Sequence, residues 1–484
     1  MGCTTQSGLI AGAVVGVLLA ILGGVLIPVG NIIIENEIKK EAVIENGTIA
    51  YDNWVKTSSP VYRQFWLFHV LNPLDVITYG VKPELTQKGP YTYRIRNLSK
   101  ENITMGENHT VSFLQPNSAE FQRDMSVGSE DDTVIALNLA VASAPSLFPI
   151  WTILNSLIKK SNSSLFQKRT VREMLWGYTD PLLALINLPA LGTKTGVLYP
   201  YNGTADGLYT IFTGKDDISK TAIIKYYKGA ENLSFWKGNC NMINGTDGVS
   251  FPPFVDKKKK LYIFNSDICR SIYAEFEGEH NLKGIPVYRF VIPEHAFASP
   301  LVNPDNLCFC TELSVSRNCT EGGIQDISAC QNGKPVYISL PHFLYASENI
   351  KGLVTGLKPS EEEHRIFLDV DPITGFTLRA AKRIQINLMF KPTDKIEVFS
   401  KLKDTLVFPV VWLNERWAHS REKMMVQAAE QHWNKVYLLL TYRLFGITRD
   451  RANAGLSGRP TPYICNALSL GPDHAGVPLK AVSS

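Results

Sequence analysis

An α+β protein, rich in antiparallel strands with a helical cap and tethered by one N-terminal membrane helix, is the fold that the 484-residue sequence predicts. Three observations predict it. Residues 8–30 form an uncharged apolar run, short alternating segments are punctuated by Gly and Pro, and six of the eight cysteines crowd between 240 and 330. A chain of this length can bury one large core or two ordinary ones. A net charge of +4 with 19% charged residues gives no basic stripe for nucleic acid.

The run "GLIAGAVVGVLLAILGGVLIPVG", residues 8–30, has 23 residues and spans about 34 Å as a helix, enough for a bilayer core. No basic residue precedes it, and it exceeds the apolar core of a cleaved signal peptide, so it reads as an uncleaved anchor. Lys39 and Lys40 would by themselves place the C-terminal side in the cytosol. Glu35, Glu37 and Glu41 blunt that bias, and the downstream sequons and cysteines overrule it, leaving residues 1–7 cytosolic. Gly8, Gly12, Gly16, Ala20 and Gly24 make a small-residue stripe on which a second copy could pack, although glycine is common in membrane helices anyway. Cys3 stands at the cytosolic edge as a candidate for S-acylation.

Beyond the anchor, "GPYTYRIRNL" sets Tyr91, Tyr93 and Ile95 against Thr92, Arg94 and Arg96, the period of a half-buried strand. "GIPVYRFVIP", "PVYISLPHFLY" and "RIQINLMF" read as further strands, the last with Ile384, Ile386 and Leu388 on one face. The frequent Gly and Pro favour antiparallel pairing over βαβ units. Helical patterns gather over about 130–177. "DDTVIALNLAVASA" is apolar nearly all round, "IWTILNSLIKK" ends on Lys159 and Lys160 as a helix C-terminus prefers, and Ser164 with Gln167 fits a capping box before "LFQKRTVREMLWG", stopped by Gly177. Three helices in a row in a β-rich chain suggest a cap on a barrel or sandwich.

"LCFCTELSVSRNCTEGG", residues 307–323, could be a metal cluster, a redox site or a pair of staples. Zinc sites want two C-x(2–4)-C or H-x(3–5)-H arms, whereas the close spacing here is C-x-C with no histidine pair nearby. The chain also carries nine N-x-S/T sequons, at Asn46, Asn97, Asn102, Asn108, Asn162, Asn202, Asn232, Asn244 and Asn318. Together they point to an oxidising, secreted-side compartment in which six clustered cysteines form three disulfides. Fifteen pairings are possible. On a strand, Cys308 and Cys310 would share a face and need separate partners.

No G-x-S-x-G, H-E-x-x-H or G-x-x-x-x-G-K-[ST] pattern occurs, so binding is expected rather than turnover, with no cofactor and no metal. Asp369-Val370-Asp371 could hold a divalent ion but reads more simply as the wet face of a strand. "EEEH", Glu361 to His364, reads as a solvated loop or helix start, and "KKKK" at 257–260 as a solvated turn.

Long segments carry a resemblance: "GLIAGAVVG", "NWVKT", "YRQFW", "GPYTYR", "VSFLQPN", "LWGY", "YPYNGTADG", "NGTDGVSFPPFV", "NSDICRSIYA", "GIPVYRF", "FCTE", "VYISLPHFLYAS", "DPITGFTL" and "WLNE". Through them the chain resembles the class B scavenger receptors, from Met1 to about Glu415, some 85% of its length. The resemblance implies a large antiparallel β-barrel enclosing an apolar tunnel, capped by a short helical bundle. It implies disulfides Cys240–Cys308, Cys269–Cys330 and Cys310–Cys319. It implies a surface receptor for long-chain fatty acids, oxidised lipoproteins, anionic phospholipids and thrombospondin, placed at the plasma membrane with Golgi and raft membranes as further stations. The thrombospondin-binding segment falls on Tyr93 to Glu120, and the basic cap on Lys160 with Lys159 and Lys168 beside it.

The chain departs from that pattern in three places. Asn162 replaces a second cap lysine and completes a sequon, Ser7 replaces a second acylatable cysteine, and residues 416–484 lack a second membrane helix. The longest apolar stretch of that tail, Val436 to Ile447, contains Arg443, and Cys465 would be an odd thiol. The expected organisation is therefore 1–7 cytosolic, 8–30 anchor, 31–415 glycosylated lipid-binding ectodomain and 416–484 atypical tail. An anchored ectoenzyme acting on lipids and an adhesion-only receptor are the rival readings, and a lysosomal member of the family is less expected because no cytosolic sorting tail follows.

Overall fold

The computed structural model describes residues 14, 16–17, 28–56, 60–95, 98–148, 150–189, 191–311 and 319–417. Among these no helix is long and apolar enough to cross a membrane. The predicted span at 8–30 lies mostly outside the described residues, as do Cys3, Asn97, Asn318, Cys465 and all of the tail beyond 417.

Among the described residues every pair of strands is antiparallel, and the largest sheet has 11 strands. Its centre is built from Val61–Val70, Leu406–Trp417 and the 14-residue strand Thr377–Phe390. Near-continuous burial on both faces explains their apolar composition. Leu406–Trp417 lies between the other two, so chain segments about 350 residues apart in sequence become neighbours: Arg63 pairs with Glu415, and Lys382 pairs with Glu415 from the other side. The long strand forks at its outer edge, pairing Phe367–Val370 along one half and Val336–Ser339 along the other. The hydrogen-bonded path runs from Leu261–Asn265 to Ala119–Phe121, and among the described residues these two end strands do not pair with each other. A separate four-stranded sheet holds Glu101–Gly106, Thr110–Pro116, Ala205–Phe212 and Ile224–Tyr227.

The region 130–177 differs from its sequence pattern. Thr133–Leu137 and Phe166–Thr170 are strands paired with each other, and the helix of the first segment runs only over Leu139–Leu147. Trp151–Lys160 is helical with Lys159 and Lys160 in its last turn. The capping box sits one segment later than expected. Thr170 Oγ1 accepts from the Glu173 N–H at 3.1 Å, and Glu173 Oε2 accepts from the Thr170 N–H at 2.9 Å, opening the helix Val171–Trp176. Gly177 ends it at φ +109°, where a Cβ would lie 2.7 Å from the Tyr199 ring, so only glycine fits both the turn and the packing.

The disulfides are Cys240–Cys308, Cys269–Cys330 and Cys310–Cys319. Cys308 lies in the 3-10 turn Pro304–Phe309 and Cys310 just after it, so the shared-face premise for a strand does not apply. Asp369 is also not on a wet face. It is fully buried and gripped by Arg289 through two contacts of 2.7 and 2.8 Å and by Arg379 at 2.7 Å. The sheet partners supply those two arginines across the ladder, which a strand pattern alone does not reveal. In "EEEH" the three glutamates are exposed but His364 is buried. Lys257 and Lys260 of "KKKK" reach Glu279 and Glu275, each at 3.0 Å, on the exposed surface.

Candidate functional site

The face Ile384, Ile386 and Leu388 of the long strand lines a cavity of about 570 Å³. Val410 and Leu413 of the neighbouring strand extend that wall, and Leu139 and Ser143 of the helix Leu139–Leu147 close one side. That helix is buried nearly all round, and Asn138 caps it by accepting from the Val141 N–H at 3.2 Å. Phe264, Ile268 and the Cys269–Cys330 link also line it, so one disulfide is part of the cavity lining. This volume falls inside the range of about 300–1,000 Å³ typical of small-molecule sites.

Two smaller spaces adjoin it through shared lining residues. The second, about 100 Å³, shares Asp206, Phe264, Ser266, Asp267, Ile268, Lys382 and Ile384 with the first. It adds Ile272, Ile292, Ile366 and Leu368. The third, about 80 Å³, shares Asp206, Tyr209 and Asp247 with the second. It is walled by Ile44, Ala50, Trp54 and Phe113 and bordered by Ala42, directly after the helical residues 28–41. Thus the series leads from the helix Leu139–Leu147 toward the chain emerging from the predicted anchor. A larger hollow of about 740 Å³ between residues 80–83, 348–353 and 402–407 shares no lining residue with the three.

Charges meet where the first two spaces join. Arg63 Nη2 donates to Glu415 Oε2 at 2.6 Å, with both side chains buried. Lys382 Nζ donates to Asp267 Oδ2 at 3.3 Å, and Arg63 Nη2 lies 3.9 Å from the same oxygen. The Arg63 guanidinium also stands 5.7 Å from the Tyr201 ring centre. Burial alone would lower the Arg63 pKa, but Tyr201, Glu415 and Asp267 together raise it well above its ordinary value. Burial likewise opposes the Asp267 anion, yet Lys382 and Arg63 hold its carboxyl below the usual range. Its side chain is 51% exposed, and what it exposes borders both spaces.

A second buried polar cluster backs the same sheet. The His342 and His364 rings stack at 4.6 Å, and the Trp412 ring meets the His364 ring edge-on at 5.3 Å. Each Nδ1 accepts a backbone N–H, from Lys358 at 3.1 Å and Ser360 at 2.9 Å. Burial pushes His342 down to about 4, and burial, then His342 and Arg383, push His364 down to about 3, so both rings are neutral at pH 7.

Of the residues singled out from sequence, Lys159, Lys160 and Lys168 do not line the cavity. Lys159 is paired with Glu397 at 2.6 Å. Lys160 is exposed and makes no ion pair among the described residues. Lys168 is exposed on a strand, opposite Ile135. The segment Tyr93 to Glu120 is not one surface: Tyr93 is buried and donates to Glu130 at 3.0 Å, whereas residues 104–109 are exposed. Asn46, Asn102, Asn108, Asn162, Asn202 and Asn232 are exposed and Asn244 half-buried, so each described sequon is open to solvent. Asn102, Asn108 and Asn162 have left-handed backbone angles, which asparagine tolerates. No group of three or more His, Cys, Asp or Glu able to hold a metal occurs among the described residues.

Sequence reasoning missed Arg63, Lys382, Asp267 and Glu415. The signal was there in a weak form: single charges inside "VYRQFW" and "VVWLNE", in strands otherwise apolar. Such charges are rarely buried without a partner, but which partner depends on register.

Comparison with known proteins agrees with the motifs. The CD36 family model matches residues 14–447, running past Glu415, where the quoted motifs end. Lysosome membrane protein 2 of Homo sapiens is 37% identical over 426 residues, covering 85% of this chain and 87% of its own. Scavenger receptor class B member 1 of Sus scrofa is 34% identical over 438 residues, covering 88% and 84%.

Proposed function

The chain belongs to the CD36 family, and from that premise we propose that it is a cell-surface scavenger receptor and lipid carrier, not an enzyme. It binds long-chain fatty acids, oxidised lipoproteins, anionic phospholipids and thrombospondin, and it passes lipid along an internal path toward the membrane. The observation that carries this reading is the run of three spaces with shared walls, from the helix Leu139–Leu147 to residues 42–54. The sheet around them is read as the wall of a barrel capped by the helices of 130–177. Moving each methylene through water costs about 0.8 kcal/mol, so a chain of about sixteen carbons faces a barrier on the order of 10 kcal/mol. An apolar path avoids most of that.

At the outer end, exposed Lys160 attracts the anionic group, with Lys168 as a second cation, while Lys159 is already engaged by Glu397. Thrombospondin would meet the exposed strand end and turn 104–109 rather than buried Tyr93. The proposed topology is 1–7 cytosolic, 8–30 anchor and 31–415 outside, with Cys3 acylated and two chains packing through Gly8, Gly12, Gly16, Ala20 and Gly24.

The test uses the full glycosylated chain in lipid nanodiscs with a labelled long-chain fatty acid. Saturable binding without a chemical product is expected, and it should be lost in Ser143→Trp, which fills the first space. Undiminished binding in that variant, or conversion of the ligand, would defeat the reading. The adhesion-only rival predicts no fatty-acid binding at all.

A further inference from the structure

The junction of the first two spaces has a charge arrangement that a purely structural ion pair does not need. Arg63, Glu415 and Lys382 come from three adjacent strands and face one another across the ladder, in the order plus, minus, plus. That row carries one net positive charge. It is neutralised from across the space by Asp267, which belongs to the separate turn Ser266–Ile268. The four side chains differ in freedom. Arg63 and Glu415 are 5% and 2% exposed and locked together, Lys382 is 22% exposed, and Asp267 is 51% exposed. The backbone under Asp267 is fixed, because its N–H donates to Asn265 Oδ1 at 2.9 Å and Cys269 is tied to Cys330 two residues on. Only the carboxylate itself can swing. Asp206 also borders the junction, but its Oδ1 accepts from Asn117 at 2.8 Å.

We infer that Lys382 and Arg63 form a carboxylate station at this junction, and that Asp267 is the internal anion whose place a ligand carboxylate takes. This rests on the lipid-carrier reading above and deepens it by naming the residues that select a carboxylate among long-chain ligands. A ligand crossing from the first space to the second passes Lys382 and Asp267, since both border both spaces. A neutral amphiphile gains nothing there. A carboxylate exchanges one anion for another beside Lys382, so the net charge of the junction is restored once Asp267 turns toward the wider space. The exchange keeps the station reversible, because Asp267 stands ready to reclaim Lys382 when the ligand moves on.

The experiment measures dissociation constants of a long-chain carboxylic acid and of the alcohol with the same chain length, on the full chain in nanodiscs. The wild type is expected to favour the acid by about tenfold, the scale of one charge-assisted contact. Asp267→Asn should raise that ratio severalfold by removing the competing anion. The double variant Asp267→Asn/Lys382→Met should bring it close to one, and since it removes one charge of each sign it leaves the fold's charge balance intact. A merely structural role would move both ligands together and leave the ratio alone. If the ratio is unchanged across the three proteins, the station is refuted while the carrier reading stands. If the wild type binds neither ligand saturably, the carrier reading fails and the station with it.

Discussion

Lys160 and Lys382 carry the same charge in opposite surroundings. Lys160 ends a helix at the surface, in water, with no ion partner among the described residues. Lys382 stands mid-strand on a cavity wall beside Asp267, in the row that includes Arg63 and Glu415. At the surface a cation costs little to keep and its field is screened within about a Debye length. In the interior every charge must be matched. On the functions proposed above, the surface lysine attracts anions and the interior lysine discriminates among them.

The largest effect is expected in the interior. Arg63→Met leaves Glu415 buried without its 2.6 Å partner, which should lower the unfolding free energy by about 3–5 kcal/mol, read from the urea midpoint. Arg63→Met/Glu415→Leu should recover most of that loss. Equal midpoints for the single and double variants would erase the contrast between matched and unmatched interior charge.

Next comes acidification, which tests the interior beside Trp412. The folded pKa values of His342 and His364 lie near 4 and 3, below the ordinary 6.5 of the unfolded chain. The unfolded state therefore takes up protons first as pH falls. The stability held by these neutral rings is complete above about pH 6.5 and is lost as pH falls through about 4 for His342 and about 3 for His364, by roughly 3–5 kcal/mol per ring. Asn at position 364 can still accept the Ser360 N–H, so His364→Asn should flatten the acid slope between pH 6.5 and 4. An unaltered slope would place the acid sensitivity elsewhere.

Effects at the exposed surface are smaller. Lys160→Ala should weaken capture of anionic vesicles by up to about fivefold at low salt, and by less at physiological salt. A loss independent of salt would mean that Lys160 is not acting as a screened surface charge. Smallest of all, Lys159→Ala breaks an ion pair whose side chains are 60% and 67% exposed, so the unfolding free energy from urea titration should fall by no more than about 0.5 kcal/mol.

Local chemistry was legible where neighbours in sequence decide the outcome. The face Ile384, Ile386 and Leu388 follows from strand period and lines the cavity as a face should. The helix ending at Lys160 and the stop at Gly177 follow from helix-end chemistry. The helix expected over "DDTVIAL" gave way because Thr133–Leu137 found a strand partner in Phe166–Thr170, and that pairing shifted the capping box from Ser164–Gln167 to Thr170–Glu173. Asp369 read as wet because a strand pattern does not show that two arginines wait on neighbouring strands.

By itself, the sequence determined the class of the protein: antiparallel strands, the helix that ends in two lysines, surface sequons, clustered cysteines and kinship with the CD36 family. Those features depend on residue type and short-range spacing. The tertiary structure alone decided which interior charges meet. Arg63 and Glu415 lie 352 positions apart, and their contact exists only because the first and last described strands of the large sheet pair in one register. A one-residue slip would turn every such side chain to the other face, so the charge row belongs to the register and not to any stretch of chain.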